Sequence, residues 1–158
     1  WTLHDTGDFN GDHKLDLLLY NTVSGQSAII EMNGSSAGPV TPIFTFAPAT
    51  GWTLKETGDF TGDGKADILI VNTSKAISVL EMNGTAFVSN YVPGVLQTGW
   101  EIVNAGYYDG DDKMDFLIHN TSTGDLITAT QDGATITSLD VVFSPGTSSG
   151  WSAHSGKP

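Results

Sequence analysis

The stretch GDFNGDHKLD, residues 7–16, returns as GDFTGDGKAD at residues 58–67 and, eroded, as GYYDGDDKMD at residues 106–115. A self-similar unit of about 50 residues marks one supersecondary element stacked on copies of itself. The loops open at Gly7, Gly58 and Gly106, which gives periods of 51 and 48 residues. A Trp precedes each loop, at Trp1, Trp52 and Trp100, and Trp151 begins a fourth unit that soon stops.

Outward from the loops, each unit reads as four short strands with no helical stripe between them. The first runs from the Trp into the acidic loop. The second leaves it as an unbroken apolar run, DLLLY at 16–20, DILIV at 67–71 and DFLIH at 115–119, the pattern of a strand buried on both faces. After an Asn-Thr step at Asn21, Asn72 and Asn120 comes a third strand, SAIIEM, ISVLEM or LITATQ. It ends at Asn33-Gly34, Asn83-Gly84 and Asp132-Gly133, dipeptides whose two residues can both take positive φ at the centre of a tight hairpin. The fourth strand is expected near Val40–Phe46, Phe87–Val92 and Ile136–Phe143.

Four antiparallel strands repeated at this period predict an all-β chain of β-propeller blades, whereas a sandwich would show no such internal identity. The expected units are 1–50, 51–98 and 99–149, with 150–158 as the start of a further unit or a closing strand. Closed propellers typically have about 4–8 blades, so three leave the ring incomplete. Either the chain is part of a longer propeller, or copies associate to finish one. Beginning at Trp1 without Met, the chain reads as processed or truncated.

Eighteen acidic residues against six basic ones give a net charge of −12 over 158 residues. That balance argues against nucleic acid, whose phosphates need Lys and Arg, and against an anionic membrane surface. No run approaches the roughly 20 apolar residues of a membrane span, and no signal peptide is visible. Cysteine is absent, which removes disulfides and thiolate metal sites. Ten of the eighteen acids lie in the three loops: Asp8, Asp12, Asp16, Asp59, Asp63, Asp67, Asp109, Asp111, Asp112 and Asp115. Carboxylates crowded in this way repel one another unless a cation neutralises them.

The spacing suits calcium, a hard cation that takes about six to eight oxygens. Counted from Asp8, oxygens fall at positions 1, 3, 5 and 9 as Asp8, Asn10, Asp12 and Asp16, with the Lys14 carbonyl at position 7 and Gly11 permitting the curl. The second loop offers Asp59, Thr61, Asp63, the Lys65 carbonyl and Asp67. The third has Tyr107 at position 1, then Asp109, Asp111, the Lys113 carbonyl and Asp115, so its site is expected to be weakened or lost. Position 12, where an EF-hand places a bidentate Glu, is Leu19, Ile70 or Ile118, and no helix flanks it. The competing account is a loop held by Asp-to-backbone hydrogen bonds alone.

The pattern GDFNGDGKxD followed by an apolar strand resembles the FG-GAP/VCBS-type repeat, found in integrin α-subunit propellers, in several fungal and bacterial propeller lectins and in large secreted bacterial proteins. Phe9 and Gly11, Phe60 and Gly62, and Tyr108 and Gly110 match the aromatic and glycine positions of that motif. The resemblance implies a calcium-stabilised β-propeller outside the cell or at its surface. It implies no particular ligand, because such repeats serve adhesion, sugar binding and plain scaffolding.

The remaining residues add little chemistry. The repeated Trp either stacks on sugar or fills the space between blades, and packing is the stronger reading. His4, His13, His119 and His154 show neither an HExxH motif nor a carboxylate partner at ligand spacing and read as surface or strand-end residues, with His13 at a place where positive φ is expected. Asn33, Asn72, Asn83 and Asn120 head N-glycosylation tripeptides that read as structural. Without a GxSxG elbow, a cysteine nucleophile or a phosphate loop, and with Glu31 and Glu81 recurring as a structural feature would, the chain is expected not to be an enzyme. The leading expectation is a lectin-like module for carbohydrate or a cell-surface ligand. The alternative is a scaffold segment making protein–protein contacts.

Overall fold

The computed structural model describes residues 1–46 and 50–146. The unit expected from Trp151, and His154, lie outside the described residues. Among the described residues, fourteen strands form three four-stranded antiparallel sheets and one short hairpin. The first sheet holds β1 (Thr2–Gly7), β2 (Asp16–Tyr20), β3 (Gln26–Ile30) and β6 (Thr41–Thr45), with β4 (Met32–Asn33) and β5 (Ser36–Ala37) as the hairpin beyond β3. The second holds β7 (Thr53–Gly58), β8 (Asp67–Val71), β9 (Ala76–Asn83) and β10 (Ala86–Val95), each strand beside the next. The third repeats that order in β11 (Trp100–Gly106), β12 (Asp115–Asn120), β13 (Leu126–Asp132) and β14 (Thr135–Phe143). These are the blades of an incomplete propeller, and the described sheets close no barrel.

The apolar runs explain how the blades stack. Successive side chains of a strand point to opposite faces, and all five residues of β8 are buried. Ile68 and Ile70 meet Leu18 and Ile29 of the first sheet and Phe9 of its acidic loop. Leu69 and Val71 meet Ile102, Phe116 and Ile118 of the third. β2 and β12 are buried less completely, because each outer sheet has a described neighbour on one face only. Trp52 and Trp100 pack against these two cores, as the packing reading of the repeated Trp expects.

The first strands of all three blades carry a β-bulge at the same place, opposite the third and fourth residues of the apolar run: the register slips at His4, Lys55 and Val103. A bulge bends a strand and re-aims its side chains. Beyond the first bulge, Asp5 Oδ2 accepts the Thr57 N–H of the next blade at 3.0 Å, and Thr57 Oγ1 donates to the Thr6 carbonyl at 2.8 Å.

Three expectations need correction. The hairpin turns are centred one residue later than the sequence suggests: Asn33 pairs with Ser36, Asn83 with Ala86 and Asp132 with Thr135. The central pairs are therefore Gly34-Ser35, Gly84-Thr85 and Gly133-Ala134, and only their glycines have positive φ, the arrangement of turns with Gly at the first central position. In the first blade the third strand is interrupted at Glu31, whose carbonyl accepts the Gly38 N–H at 2.8 Å, and Pro39 removes a ladder donor before β6 begins. His119, expected at the surface, is buried, with Nδ1 3.2 Å from Glu101 Oε1, a carboxylate partner supplied across the β11–β12 ladder.

Candidate functional site

The acidic loops connect the first two strands of each blade, closed by Gly7 pairing with Asp16, Gly58 with Asp67 and Gly106 with Asp115. Inside the first, the Asp8 carboxylate gathers three backbone N–H groups, from Gly11 at 2.7 Å, Asp12 at 3.1 Å and His13 at 2.7 Å. Asn10 Oδ1 accepts the Asp12 N–H and Asp12 Oδ1 the Lys14 N–H. These i to i+2 bonds are Asx turns, so the alternation of oxygen-bearing residues also dictates the curl of the backbone. His13 has the expected positive φ, 64°.

The second loop copies the first. Asp59 accepts from Gly62, Asp63 and Gly64, and Asp63 from Lys65. Thr61 replaces Asn10; its hydroxyl, near enough to Asp67 to hold that carboxyl down slightly, is buried outside hydrogen-bond geometry with any group. In the third loop Tyr107 cannot gather N–H groups, and Asp112, at the place of His13 and Gly64, does not take positive φ. Only the two Asx bonds remain there, from Asp111 N to Asp109 and from Lys113 N to Asp111.

The last Asp of each motif has a separate job. Asp16, Asp67 and Asp115 are fully buried. Asp16 accepts the N–H of Phe9 at 3.0 Å and of Met32 at 2.8 Å. Asp67 accepts those of Phe60, Thr61 and Met82, and Asp115 those of Tyr108, Asp109 and Gln131. Each carboxylate thus ties the start of its loop to the end of the third strand. Burial pushes Asp67 up to about 7, against the opposing pull of its backbone donors, and raises Asp115 for the same reason. The sequence held a signal for this clamp: an acid at the head of an apolar strand in all three repeats, the eroded one included.

Lysine supplies the positive charge within each loop. Lys14 Nζ lies 2.8 Å from Asp12, Lys65 Nζ 3.8 Å from Asp63 and Lys113 Nζ 4.0 Å from Asp111. The Lys14 ammonium holds the Asp12 carboxyl below its ordinary value. Lysines also link the loops into a ladder: the Lys65 stem lies over Gly11 and the Lys113 stem over Gly62, 3.5 and 3.2 Å from the β-carbon that a substitution would add. Among the described residues, no three His, Asp or Glu side chains converge as a metal cage. A cation at the first or second loop would rest on two carboxylates, Asp8 and Asp12 or Asp59 and Asp63, with neutral oxygens from Asn10 or Thr61. The unpartnered Thr61 hydroxyl fits that role.

Beside the first loop a groove of about 320 Å³ opens toward the β4–β5 hairpin. Asn10, Asp12, Glu31, Asn33 and Ser36 line it with amide, carboxylate and hydroxyl groups, and no aromatic side chain is among its described lining.

An FG-GAP-like repeat matches residues 8–70 and again residues 59–118. The chain belongs to this family. The two matches overlap on the second acidic loop, so each spans from one loop across the next. No curated protein matches the chain. FG-GAP-like repeats are generally non-enzymatic and typically occur in extracellular proteins. Among the described residues no helix is long and apolar enough to cross a membrane.

Proposed function

We propose that this FG-GAP-like chain is a non-enzymatic, extracellular binding module whose first two acidic loops are locked by calcium and whose polar groove takes carbohydrate. The observation that carries the reading is the loop ladder: two loops on successive blades present matching carboxylates, with an amide oxygen beside the first pair and a hydroxyl beside the second, and the groove lies beside the first loop. Asp8, Asn10 and Asp12, and Asp59, Thr61 and Asp63, would hold the ions, with the Lys14 and Lys65 carbonyls as further oxygens and Asp16 and Asp67 as the buried anions behind. When bound, calcium supplies charge neutralisation and cross-linking, and because it binds the folded loop it raises stability. Asn10, Asn33, Glu31 and Ser36 would meet sugar hydroxyls.

A glycan array run with and without calcium, alongside melting in calcium and in chelator, tests the two parts separately. Reproducible sugar binding lost in an Asn33→Ala, Ser36→Ala double variant supports the groove. No sugar on the array, with a protein partner recovered instead, would favour a scaffold role in adhesion. An unchanged melting midpoint in chelator would sink the calcium part.

The open faces of the outer blades support a second element of the proposal, that a second copy continues the stack. Leu54 and Ala66 of the second blade are 8% and 4% exposed against the first, whereas their counterparts Leu3 and Leu15 are 59% and 62% exposed. A third blade from another copy would cover them through the contact already repeated within the chain.

A further inference from the structure

The interface between the second and third blades differs from that between the first and second at one strand position. Register fixes the comparison: Ser27 pairs with Phe44 in the first sheet, and Ile77 with Gly94 in the second. One step on, Phe46 donates its N–H to the Gly25 carbonyl and Leu96 donates its own to the Lys75 carbonyl, so Leu96 stands for Phe46. Between the first two blades the Phe44 and Phe46 rings lie 4.6 Å apart and pack with Trp52 against the shared core. Between the second and third, one ring is replaced by a hydrogen atom and the other by an isobutyl group.

Ile77 in place of Ser27 recovers part of that volume. A cavity of about 290 Å³ remains, and a β-carbon added to Gly94 would meet nothing within 4 Å. Its walls include Ile77, Trp100, Phe116, Ile118, Ile127 and Ala129, and Gln97 carries the only amide side chain in the described lining. Val95 and Leu139, at its edge, are exposed and leave a way in. An apolar cavity of about 150 Å³ with such walls stays dry and takes up benzene. A charged guest would lose its hydration with one amide in return.

We propose that this cavity is a binding site for a small neutral aromatic group, seated where the Phe44 ring closes the neighbouring interface. Phe116 and Trp100 offer ring edges and faces to it, and Gln97 takes a single polar substituent. The site is independent of the acidic loops and of the groove beside the first of them.

Phenol is the probe, with cyclohexanol as its saturated counterpart, titrated against the whole chain while isoleucine methyl resonances are followed. The expected result is saturable movement of the Ile77, Ile118 and Ile127 methyls, with cyclohexanol at least fivefold weaker. Gly94 lies outside the left-handed region, so Gly94→Phe is expected to fill the space, raise the melting midpoint and weaken phenol at least tenfold. Gly94→Leu makes the same comparison if the larger ring prevents folding. Unmoved methyls in the unsubstituted protein, undiminished affinity in a folded Gly94 variant, or cyclohexanol binding as well as phenol would each overturn the assignment.

Discussion

A β-carbon placed on Gly7 would lie 2.6 Å from the β-carbon of Ala66 in the following blade. The two backbones are also joined there, since the Ala66 N–H donates to the Asp8 carbonyl at 2.7 Å. The contact recurs one blade on, where a β-carbon on Gly58 would collide with Met114 Sδ and the Met114 N–H donates to the Asp59 carbonyl at 2.8 Å. The glycine that opens each of the first two motifs is therefore a seat for the next blade.

A graded alanine series follows. Gly7→Ala is expected to cost the most, at the upper part of the about 1–3 kcal/mol of overpacking, because the Ala66 β-carbon is fixed to the backbone. Gly58→Ala should cost less, since the Met114 side chain can swing aside. Gly106 has no following blade among the described residues, its nearest neighbour being the Tyr108 ring at 3.5 Å. Gly106→Ala is expected to be neutral or to gain up to about 1 kcal/mol through the unfolded chain. Urea denaturation of the three variants checks the order, and equal losses would contradict it.

The buried clamp makes a second prediction. Asp67→Asn retains size but offers one acceptor oxygen and turns a donor toward backbone N–H groups from Phe60, Thr61 and Met82. At a pH well above the value of about 7 to which burial raises Asp67, the carboxyl is charged and the expected loss is about 1.5–3 kcal/mol, the worth of a charge-assisted bond, measurable by denaturant unfolding. The loss should shrink as the pH falls through that value. Hydrogen exchange should show the Met82 amide losing protection before the amides of β8. An unchanged midpoint would mean that the buried carboxylate is not what joins the loop to the third strand.

Much of this is legible in the sequence, for a physical reason: strand period, turn glycines and loop acids are local. DLLLY, DILIV and DFLIH announce three strands because alternate residues must face alternate blades, and β2, β8 and β12 begin at those aspartates. What escaped is non-local. The clamp role of Asp67 depends on the amide of Met82, 15 residues away. The burial of His119 depends on Glu101 across a ladder. The one-residue offset of the hairpins reflects pairing register, which Asn-Gly alone does not fix. The Gly94 cavity appears only when two sheets are laid in register.

Turn geometry gives a third prediction. After the second strand of each blade the chain reverses through a residue with positive φ: Gly25 at 73°, Gly124 at 80°, but Lys75 at 66°. A side chain in this region costs roughly 1–2 kcal/mol, which the entropy that glycine loses on folding partly offsets. Lys75→Gly is thus expected to stabilise by about 0.5–1 kcal/mol, and thermal melting would show it as a raised midpoint. A fall would mean that the Lys75 side chain contributes more than its backbone costs.

A fourth prediction concerns the open face. If a second copy continues the stack, sedimentation at rising concentration should show a species of twice the chain mass. Leu15→Asp should hold the protein as a monomer, with the melting midpoint that the unsubstituted chain has at dilutions where it too is monomeric, because Leu15 is exposed in the single chain. A monomer at all concentrations in the unsubstituted protein would remove the proposal of a self-completed ring.

The third loop offers the most direct test of what the first residue of the motif does. Asp8 and Asp59 each draw three N–H groups inward, and Tyr107 draws none. Tyr107→Asp should restore that gathering with the N–H groups of Gly110, Asp111 and Asp112, moving Asp112 toward the positive φ of His13 and Gly64. Without metal the change should order the loop, visible as slowed exchange of those three amides. With calcium present, equilibrium dialysis should rise from two ions per chain to three, and free ion at about 100 times its Kd should add about 2.7 kcal/mol for the new site. Slowed exchange without a third ion would place the role of the first carboxylate in shaping the loop alone. No change in either measurement would mean that the third loop is fixed by its neighbours, and that Tyr107 is a consequence of its divergence and not the cause.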